Sequence, residues 1–176
     1  GACFTVSLPL QLAHDDDLAE PASLQGQAYG LAVGTDSALL AGCRLLVVDD
    51  QPDILDYLRM ALERHGARVQ LASSGHDALQ LLSTARPGYF HALLSDIGMP
   101  GMDGYALARV IRQDMGLTPK QLPMIAVTAL AREGDRSDAL ANGFQAVVTK
   151  PCRLSLLVEQ IAQCCRLEQG QSVVTG

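Results

Sequence analysis

The sequence predicts an α/β fold, a doubly wound sheet of five parallel strands with helices on both faces. In residues 44–166, short apolar runs typical of parallel sheets alternate five times with stretches whose apolar residues recur at helical spacing. This alternation implies right-handed crossovers, which make the strands parallel and cover both faces of the sheet. In addition, 48% of the 176 residues are apolar, so the chain can bury a core of ordinary size without a structural metal or a disulfide framework.

Each strand is predicted from a short run rich in Leu, Val, Ile and Ala. These runs are shorter than a typical helix, and branched aliphatic side chains favour the extended backbone. The predicted strands are Leu45–Val48, Val69–Ala72, Ala92–Ser95, Met124–Val127 and Ala146–Val148.

Each helix is predicted from its periodicity and from residues that begin or end a helix. Asp53 is the expected N-cap of the first helix and Ser74 that of the second, and Asp103 is expected to act as a cap or turn residue before the third. The predicted helices cover 53–65, 74–85, about 105–113, a segment that ends at 142–143, and 154–164.

Three further segments differ from this domain in composition. In residues 1–10, apolar and polar side chains alternate up to Pro9, and the run from Phe4 to Pro9 resembles the last strand of the ATP-binding domain of sensor histidine kinases. Residues 11–43 contain five acids and no Lys or Arg, and they are predicted to be an acidic linker. Residues 167–176 are predicted to be a polar tail, so the domain itself is expected over 44–166.

Charge, hydropathy and cysteine content exclude several classes of function. The formal net charge is −6, and no cluster of basic residues indicates a nucleic-acid partner. No apolar run approaches the roughly 18 residues of a membrane span, so no membrane contact by this segment is expected. The five cysteines include no C-x-x-C pair, which favours reduced thiols in the cytoplasm over a zinc site or a disulfide framework.

The residues that follow the strands are the candidate functional residues, because ligands of an open parallel sheet bind beyond the carboxyl ends of its strands. In a sheet of order 2-1-3-4-5, the residues that would converge there are Asp49, Asp50, Asp96, Thr128 and Lys150. Three carboxylates in one pocket repel each other unless a cation takes up their charge. Mg²⁺ fits, because it prefers oxygen ligands and keeps positions open for water or a phosphate oxygen.

The other two side chains suit an anionic group at the same place. Lys150 offers a point charge, and Thr128 offers a hydroxyl donor. A carboxylate beside a bound magnesium ion is also a competent nucleophile toward phosphorus. The strand ends therefore predict chemistry on a phosphoryl group.

Four segments carry these residues: LLVVDDQPD at 45–53, LSDIGMPGMDG at 94–104, IAVTA at 125–129 and VVTKP at 147–151. In this order and spacing they resemble the receiver domain of two-component response regulators, over nearly all of residues 44–166. The resemblance implies a flavodoxin-like sheet of order 2-1-3-4-5. It also implies that Asp96 accepts a phosphoryl group from a phosphohistidine, and that the domain itself catalyses this transfer.

The resemblance further implies a role for each neighbouring residue. Thr128 and Lys150 would contact the phosphoryl oxygens, and the Lys150-Pro151 peptide bond would be cis. The Mg²⁺ site would consist of Asp50 directly, Asp49 through water, Asp96 and the backbone carbonyl of Gly98.

One position departs from the pattern of many receivers, which have an aromatic residue three positions before the lysine. Val147 stands there, and it has no ring that could reorient on phosphorylation. The aromatic half of the usual switch is therefore absent.

Three functional interpretations remain. The first is the C-terminal receiver of a hybrid sensor histidine kinase, which takes its phosphoryl group from a histidine of the same or another chain and passes it to a histidine phosphotransfer protein or acts as a sink. The second is a stand-alone response regulator that binds proteins when phosphorylated. The third, a flavin-binding protein or a magnesium-dependent phosphohydrolase, is disfavoured because the residues after the first strand, Asp49 to Pro52, form neither a phosphate-cradling loop nor an Asp-x-Asp nucleophile.

Overall fold

A computed structural model of the chain describes residues 39–129 and 133–169. In this part of the chain, five strands alternate with five α-helices, and the strands form one parallel sheet of order β2-β1-β3-β4-β5, which confirms the predicted fold class. The strands are β1 (Arg44–Val48), β2 (Arg68–Ala72), β3 (Ala92–Ser95), β4 (Met124–Thr128) and β5 (Ala146–Thr149). The helices are α1 (Pro52–Arg64), α2 (Gly75–Thr84), α3 (Gly104–Arg109), α4 (Glu133–Ala141) and α5 (Leu154–Gln169).

The core consists of two apolar clusters, one on each face of the sheet. Alternate residues of β1 face opposite sides, so Leu45 belongs to the cluster that includes α1 and α5, whereas Leu46 belongs to the cluster that includes α2, α3 and α4. Both leucines are fully buried. The helices therefore hold the sheet from both sides and leave the carboxyl ends of the strands for the site.

The first helix begins two residues earlier than the predicted N-cap implies. Its N-cap is Gln51 rather than Asp53, and Asp53 lies in the first turn. The physical reason is Pro52, because its fixed φ and missing N–H suit the first helical position. The other two capping predictions are confirmed: Ser74 accepts from the Asp77 N–H at 3.1 Å, and Asp103 accepts from the Ala106 N–H at 2.6 Å.

The third predicted helix is interrupted. It is α-helical only to Arg109 and continues as a π-helical turn over Val110–Asp114. Within this turn, the guanidinium of Arg112 donates to the backbone carbonyls of Leu117 at 2.8 Å, Leu122 at 2.9 Å and Gly143 at 3.0 Å. Burial lowers the pKa of Arg112 to about 10. Hydropathy periodicity does not report such long-range bonds, so the pattern predicted an uninterrupted helix.

The ends of the domain extend beyond the predicted bounds of 44–166. Leu40, in the expected linker, is fully buried, and its N–H donates to the His65 carbonyl at 3.0 Å. At the other end, α5 continues to Gln169, past the expected start of the tail. The expected strand at 1–10, the linker up to residue 38 and the tail from residue 170 lie outside the described residues. No helix in the described ranges is long and apolar enough to cross a membrane.

Candidate functional site

The strand register brings the sequence-predicted residues to one edge of the sheet. Val48 pairs with Ser95, so Asp49 and Asp96 follow neighbouring strands at the same level, and the Asp96 N–H donates to the Val48 carbonyl at 2.9 Å. Farther along the same edge, at the ends of β4 and β5, the Lys150 N–H donates to the Thr128 carbonyl at 2.8 Å.

The Lys150 side chain reaches from β5 to the carboxylates that follow β1 and β3. Its Nζ lies 2.8 Å from Asp49 Oδ2 and 3.1 Å from Asp96 Oδ1, and the side chain is 22% exposed. Both carboxylates are buried, with Asp49 2% and Asp96 8% exposed. Burial lowers the pKa of Lys150, but hydrogen bonds and charge attraction from the two carboxylates outweigh burial and hold this pKa above its ordinary value. The ammonium is therefore charged and fixed between the two acids.

Asp50 is the third carboxylate of the cluster. Its Oδ1 is buried and has no hydrogen-bond partner among the described residues. A buried carboxylate oxygen without a partner is costly, because the protein does not replace its lost hydration. By contrast, Asp49 Oδ1 accepts from the Gln51 N–H at 3.0 Å. Asp50 thus has an unsatisfied oxygen that can act as a ligand of a bound cation.

The residues fit Mg²⁺ by the chemistry of their donors, since carboxylate oxygens are the ligands it prefers. The described residues do not, however, include a group of three or more His, Cys, Asp or Glu side chains arranged closely enough to hold a metal ion. Lys150 takes up one oxygen each of Asp49 and Asp96. A bound cation would therefore share these carboxylates with the ammonium.

Two glycines define the space around Asp96. A Cβ on Gly98 would lie 3.4 Å from Asp96 Oδ2, which is ordinary contact, so Gly98 borders this oxygen. A Cβ on Gly104 would lie only 2.5 Å from the Asp96 carbonyl oxygen, which is closer than two nonbonded atoms approach each other. The Gly104 N–H also donates to the Ile97 carbonyl at 3.0 Å. Gly104 therefore lets α3 begin directly against the strand end that carries Asp96.

A comparison with protein families identifies the family to which this domain belongs. Residues 45–162 match the sequence model of one family, the response regulator receiver domain. The chain belongs to the receiver domain family. The predicted resemblance is confirmed, and receivers are domains of two-component signalling, generally dependent on Mg²⁺.

Relatives of this receiver occur in proteins of different length. An uncharacterized 14.6 kDa protein from Leptolyngbya boryana is 44% identical over 128 residues, which are 72% of this chain and 92% of that protein. The sensor histidine kinase RcsC of Salmonella typhimurium is 38% identical over 118 residues, 67% of this chain but only 12% of that protein.

Solved structures agree with the fold. The signal receiver domain of a signal transduction histidine kinase from Syntrophus aciditrophicus is 29% identical, with a TM-score of 0.63 over 76% of this chain and 98% of that chain. A CheY-like response regulator receiver domain from Methanospirillum hungatei is 28% identical, with a TM-score of 0.65 over 74% of this chain and 98% of that chain.

The remaining expectations for the receiver concern strands β4 and β5. Thr128 ends β4 and is 1% exposed, so its hydroxyl lies in the buried part of the edge. The Lys150-Pro151 peptide bond is cis, as the resemblance implies. Val147 is partly buried against the cluster that contains α3 and α4, at the position where many receivers have an aromatic ring.

Sequence reasoning missed three residues that support the acidic cluster. The backbone N–H of Gln51 donates to Asp49, and Gly104 lacks the side chain that would collide with the Asp96 carbonyl. The Ser95 hydroxyl, which donates to the Asp96 carbonyl at 2.7 Å, was also missed. Only Gly104 had a sequence signal, because it closes the motif at 94–104 that carries the resemblance.

Proposed function

We propose that this receiver domain accepts a phosphoryl group on Asp96 from a phosphohistidine. The observation that carries the proposal is the ammonium of Lys150, which is held at hydrogen-bond distance from the buried Asp96 carboxylate. A fixed positive charge beside a carboxylate suits a reaction in which an anionic phosphoryl group must approach an anion.

The two oxygens of Asp96 take different roles in this proposal. Oδ1 is hydrogen-bonded to Lys150, whereas Oδ2 borders Gly98, where there is no side chain to block approach. Oδ2 therefore forms the new bond to phosphorus, and the bond between phosphorus and the histidine nitrogen breaks. The histidine leaves with the electron pair of that bond, and the acyl phosphate remains on Asp96.

Lys150 and Thr128 are the groups that would bind the transferred phosphoryl oxygens. Lys150 can supply N–H donors to one oxygen while it remains paired with Asp49, because an ammonium has three donors. Thr128 can donate its hydroxyl to another oxygen, since it ends the neighbouring strand.

The metal site proposed for Mg²⁺ comprises Asp50, Asp49 through water, Asp96 and the carbonyl of Gly98. Bound there, Mg²⁺ would neutralise charge on the carboxylates and on the phosphoryl oxygens. The orphaned Asp50 oxygen supports this assignment most directly.

Intact-protein mass after incubation with Mg²⁺ and acetyl phosphate tests the assignment. We expect a gain of one phosphoryl group that is lost in Asp96→Asn and on chelation of Mg²⁺ by EDTA. Asp53→Asn is the matched control, because Asp53 is an exposed acid in the first turn of α1. Labelling that persists in Asp96→Asn, or that disappears in Asp53→Asn, would overturn the assignment.

A second measurement tests the metal ligand. Asp50→Asn should raise the Mg²⁺ concentration needed for half-maximal labelling at least tenfold, since it replaces a charged ligand by a neutral one. An unchanged Mg²⁺ dependence would remove Asp50 from the proposed site.

We infer that the phosphodonor is the phosphohistidine domain of a histidine kinase in the same or another chain, and that a histidine phosphotransfer protein can accept the group afterwards. The similarity to RcsC supports the hybrid-kinase context, although the match covers 12% of that kinase. We assign the domain to the cytoplasm, in keeping with the lack of a disulfide among the four described cysteines.

The alternative is a stand-alone regulator that binds proteins when phosphorylated, and two observations favour it. The relative from Leptolyngbya boryana is matched over 92% of its length. In addition, Leu140 on α4 and Leu156 on α5 are 45% and 48% exposed, so each of these helices presents an apolar side chain for contact with a partner. Phosphate transfer from the labelled receiver to a purified histidine phosphotransfer protein supports the relay, whereas its absence together with phosphorylation-dependent binding through these leucines supports the alternative.

A further inference from the structure

Two cysteine thiols meet at the end of the sheet opposite to the acidic edge. Cys43 lies directly before β1, and Cys165 lies on α5. Each residue is 4% exposed, and both belong to the cluster between the sheet and helices α1 and α5. Cys43 and Cys165 thus lie in one buried cluster, and the Cys165 side chain is close enough to act as a hydrogen-bond partner of the Cys43 thiol. The proposed function uses neither of them.

The surroundings of Cys43 favour the thiolate form of its side chain. The hydrogen bond from Cys165 lowers the pKa of Cys43 to about 7, against the effect of burial, and the nearby charge of Arg44 acts in the same direction. The thiolate is the form that attacks oxidants and disulfides, so Cys43 has a nucleophilic sulfur near neutral pH. Burial raises the pKa of the neighbouring Cys164, which keeps that thiol protonated.

We propose that Cys43 and Cys165 are a thiol-oxidation site that forms a reversible intramolecular disulfide when the protein meets a hydroperoxide. The Cys43 sulfur forms a bond to one peroxide oxygen and displaces hydroxide, which leaves a sulfenic acid. The Cys165 sulfur then bonds to the Cys43 sulfur and displaces the second oxygen as hydroxide. The two thiols lose two electrons and two protons, and hydrogen peroxide is reduced to two water molecules.

Both thiols lie near segment ends, which gives a small oxidant a route to them. Cys165 is close to the last turn of α5, which ends at Gln169. Cys43 closes a turn in which its N–H donates to the Leu40 carbonyl at 2.9 Å. Helix ends and terminal turns open locally at a lower free energy than the centre of the sheet. Access therefore does not require global unfolding.

The disulfide would link the segment that leads into β1 to the last helix. It closes a loop from residue 43 to residue 165, and such a cross-link removes much of the freedom of the unfolded chain. The expected consequence is a rise in melting temperature of about 5 °C or more. Asp96 follows the opposite end of the strands, so labelling of Asp96 by acetyl phosphate should not change.

The experiment treats the full chain with equimolar hydrogen peroxide and then with N-ethylmaleimide under denaturing conditions. We expect labelling of three cysteines rather than all five, and a peptide map that contains a Cys43–Cys165 cross-link reversed by dithiothreitol. Cys43→Ser and Cys165→Ser should each abolish the cross-link. Cys152→Ser and Cys164→Ser are the matched controls and should retain it, because both residues are only partly buried against the same cluster.

The peptide map of the unmutated protein decides the proposal even if a serine variant fails to fold. A cross-link between any other pair, a disulfide between two molecules, or five labelled cysteines after oxidation would overturn it. Asp96 labelling is measured in the same samples and keeps this result separate from the phosphoacceptor assignment.

Discussion

Gly104→Ala tests whether close packing at the start of α3 positions Asp96. The added Cβ would lie 2.5 Å from the Asp96 carbonyl oxygen and 2.9 Å from the Ile97 Cα. Nonbonded carbon and oxygen atoms prefer about 3.5 Å, so one of the two backbones must move by roughly 1 Å. Both obstructing atoms belong to the backbone, so a change of rotamer does not relieve the clash.

The cost follows from this geometry. Overpacking of a close contact costs about 1–3 kcal/mol. For a chain of this length, each kcal/mol lowers the melting temperature by about 2–4 °C, so Gly104→Ala should lower it by roughly 2–12 °C. The shift in the Asp96 backbone should also slow labelling by acetyl phosphate at temperatures well below unfolding.

Circular dichroism melting curves and intact-mass labelling rates measure the two effects. Gly98→Ala is the matched control, because its Cβ would meet only Asp96 Oδ2, at 3.4 Å. Its melting temperature should stay within about 2 °C of the unmutated protein. An unchanged melting temperature in Gly104→Ala, or an equal loss in Gly98→Ala, would refute the packing argument.

Three further predictions concern a helix cap, a buried guanidinium and the pH dependence of stability. Ser74→Ala should cost about 1 kcal/mol in urea unfolding, because it removes the N-cap of α2, whereas exposed Ser83→Ala should stay within about 0.5 kcal/mol. Arg112→Lys should cost about 2–4 kcal/mol, since an ammonium does not reproduce the bonds to three carbonyls, and exposed Arg109→Lys should cost far less; equal losses would contradict this. Because the folded-state pKa of Lys150 is raised above 10.5, its ion pairs stabilise fully below about pH 10.5 and are lost as pH rises through the folded value. Urea unfolding of Lys150→Met should therefore lack this alkaline loss, and a parallel loss in both proteins would refute the role of the ion pairs.

The sequence alone predicted the order of the strands and α-helices and which polar residues follow the strands. Short aliphatic runs alternating with amphipathic stretches have few ways to bury their apolar faces, so the parallel sheet followed from the pattern. The carboxyl ends of parallel strands share one edge, which is why Asp49, Asp96 and Lys150 could be grouped before their positions were known. Local chemistry likewise predicted the cap at Ser74.

The tertiary structure decided what depends on contacts between distant residues. It fixed Lys150 between two carboxylates that are 101 and 54 residues away in sequence, and it left Asp50 Oδ1 without a partner among the described residues. The placement of Cys43 and Cys165 in one buried cluster has the same origin, because neither residue type nor spacing determines which buried thiols come together. Side-chain patterns specify which face of an element is buried, whereas close packing of whole elements sets the distances on which the chemistry depends.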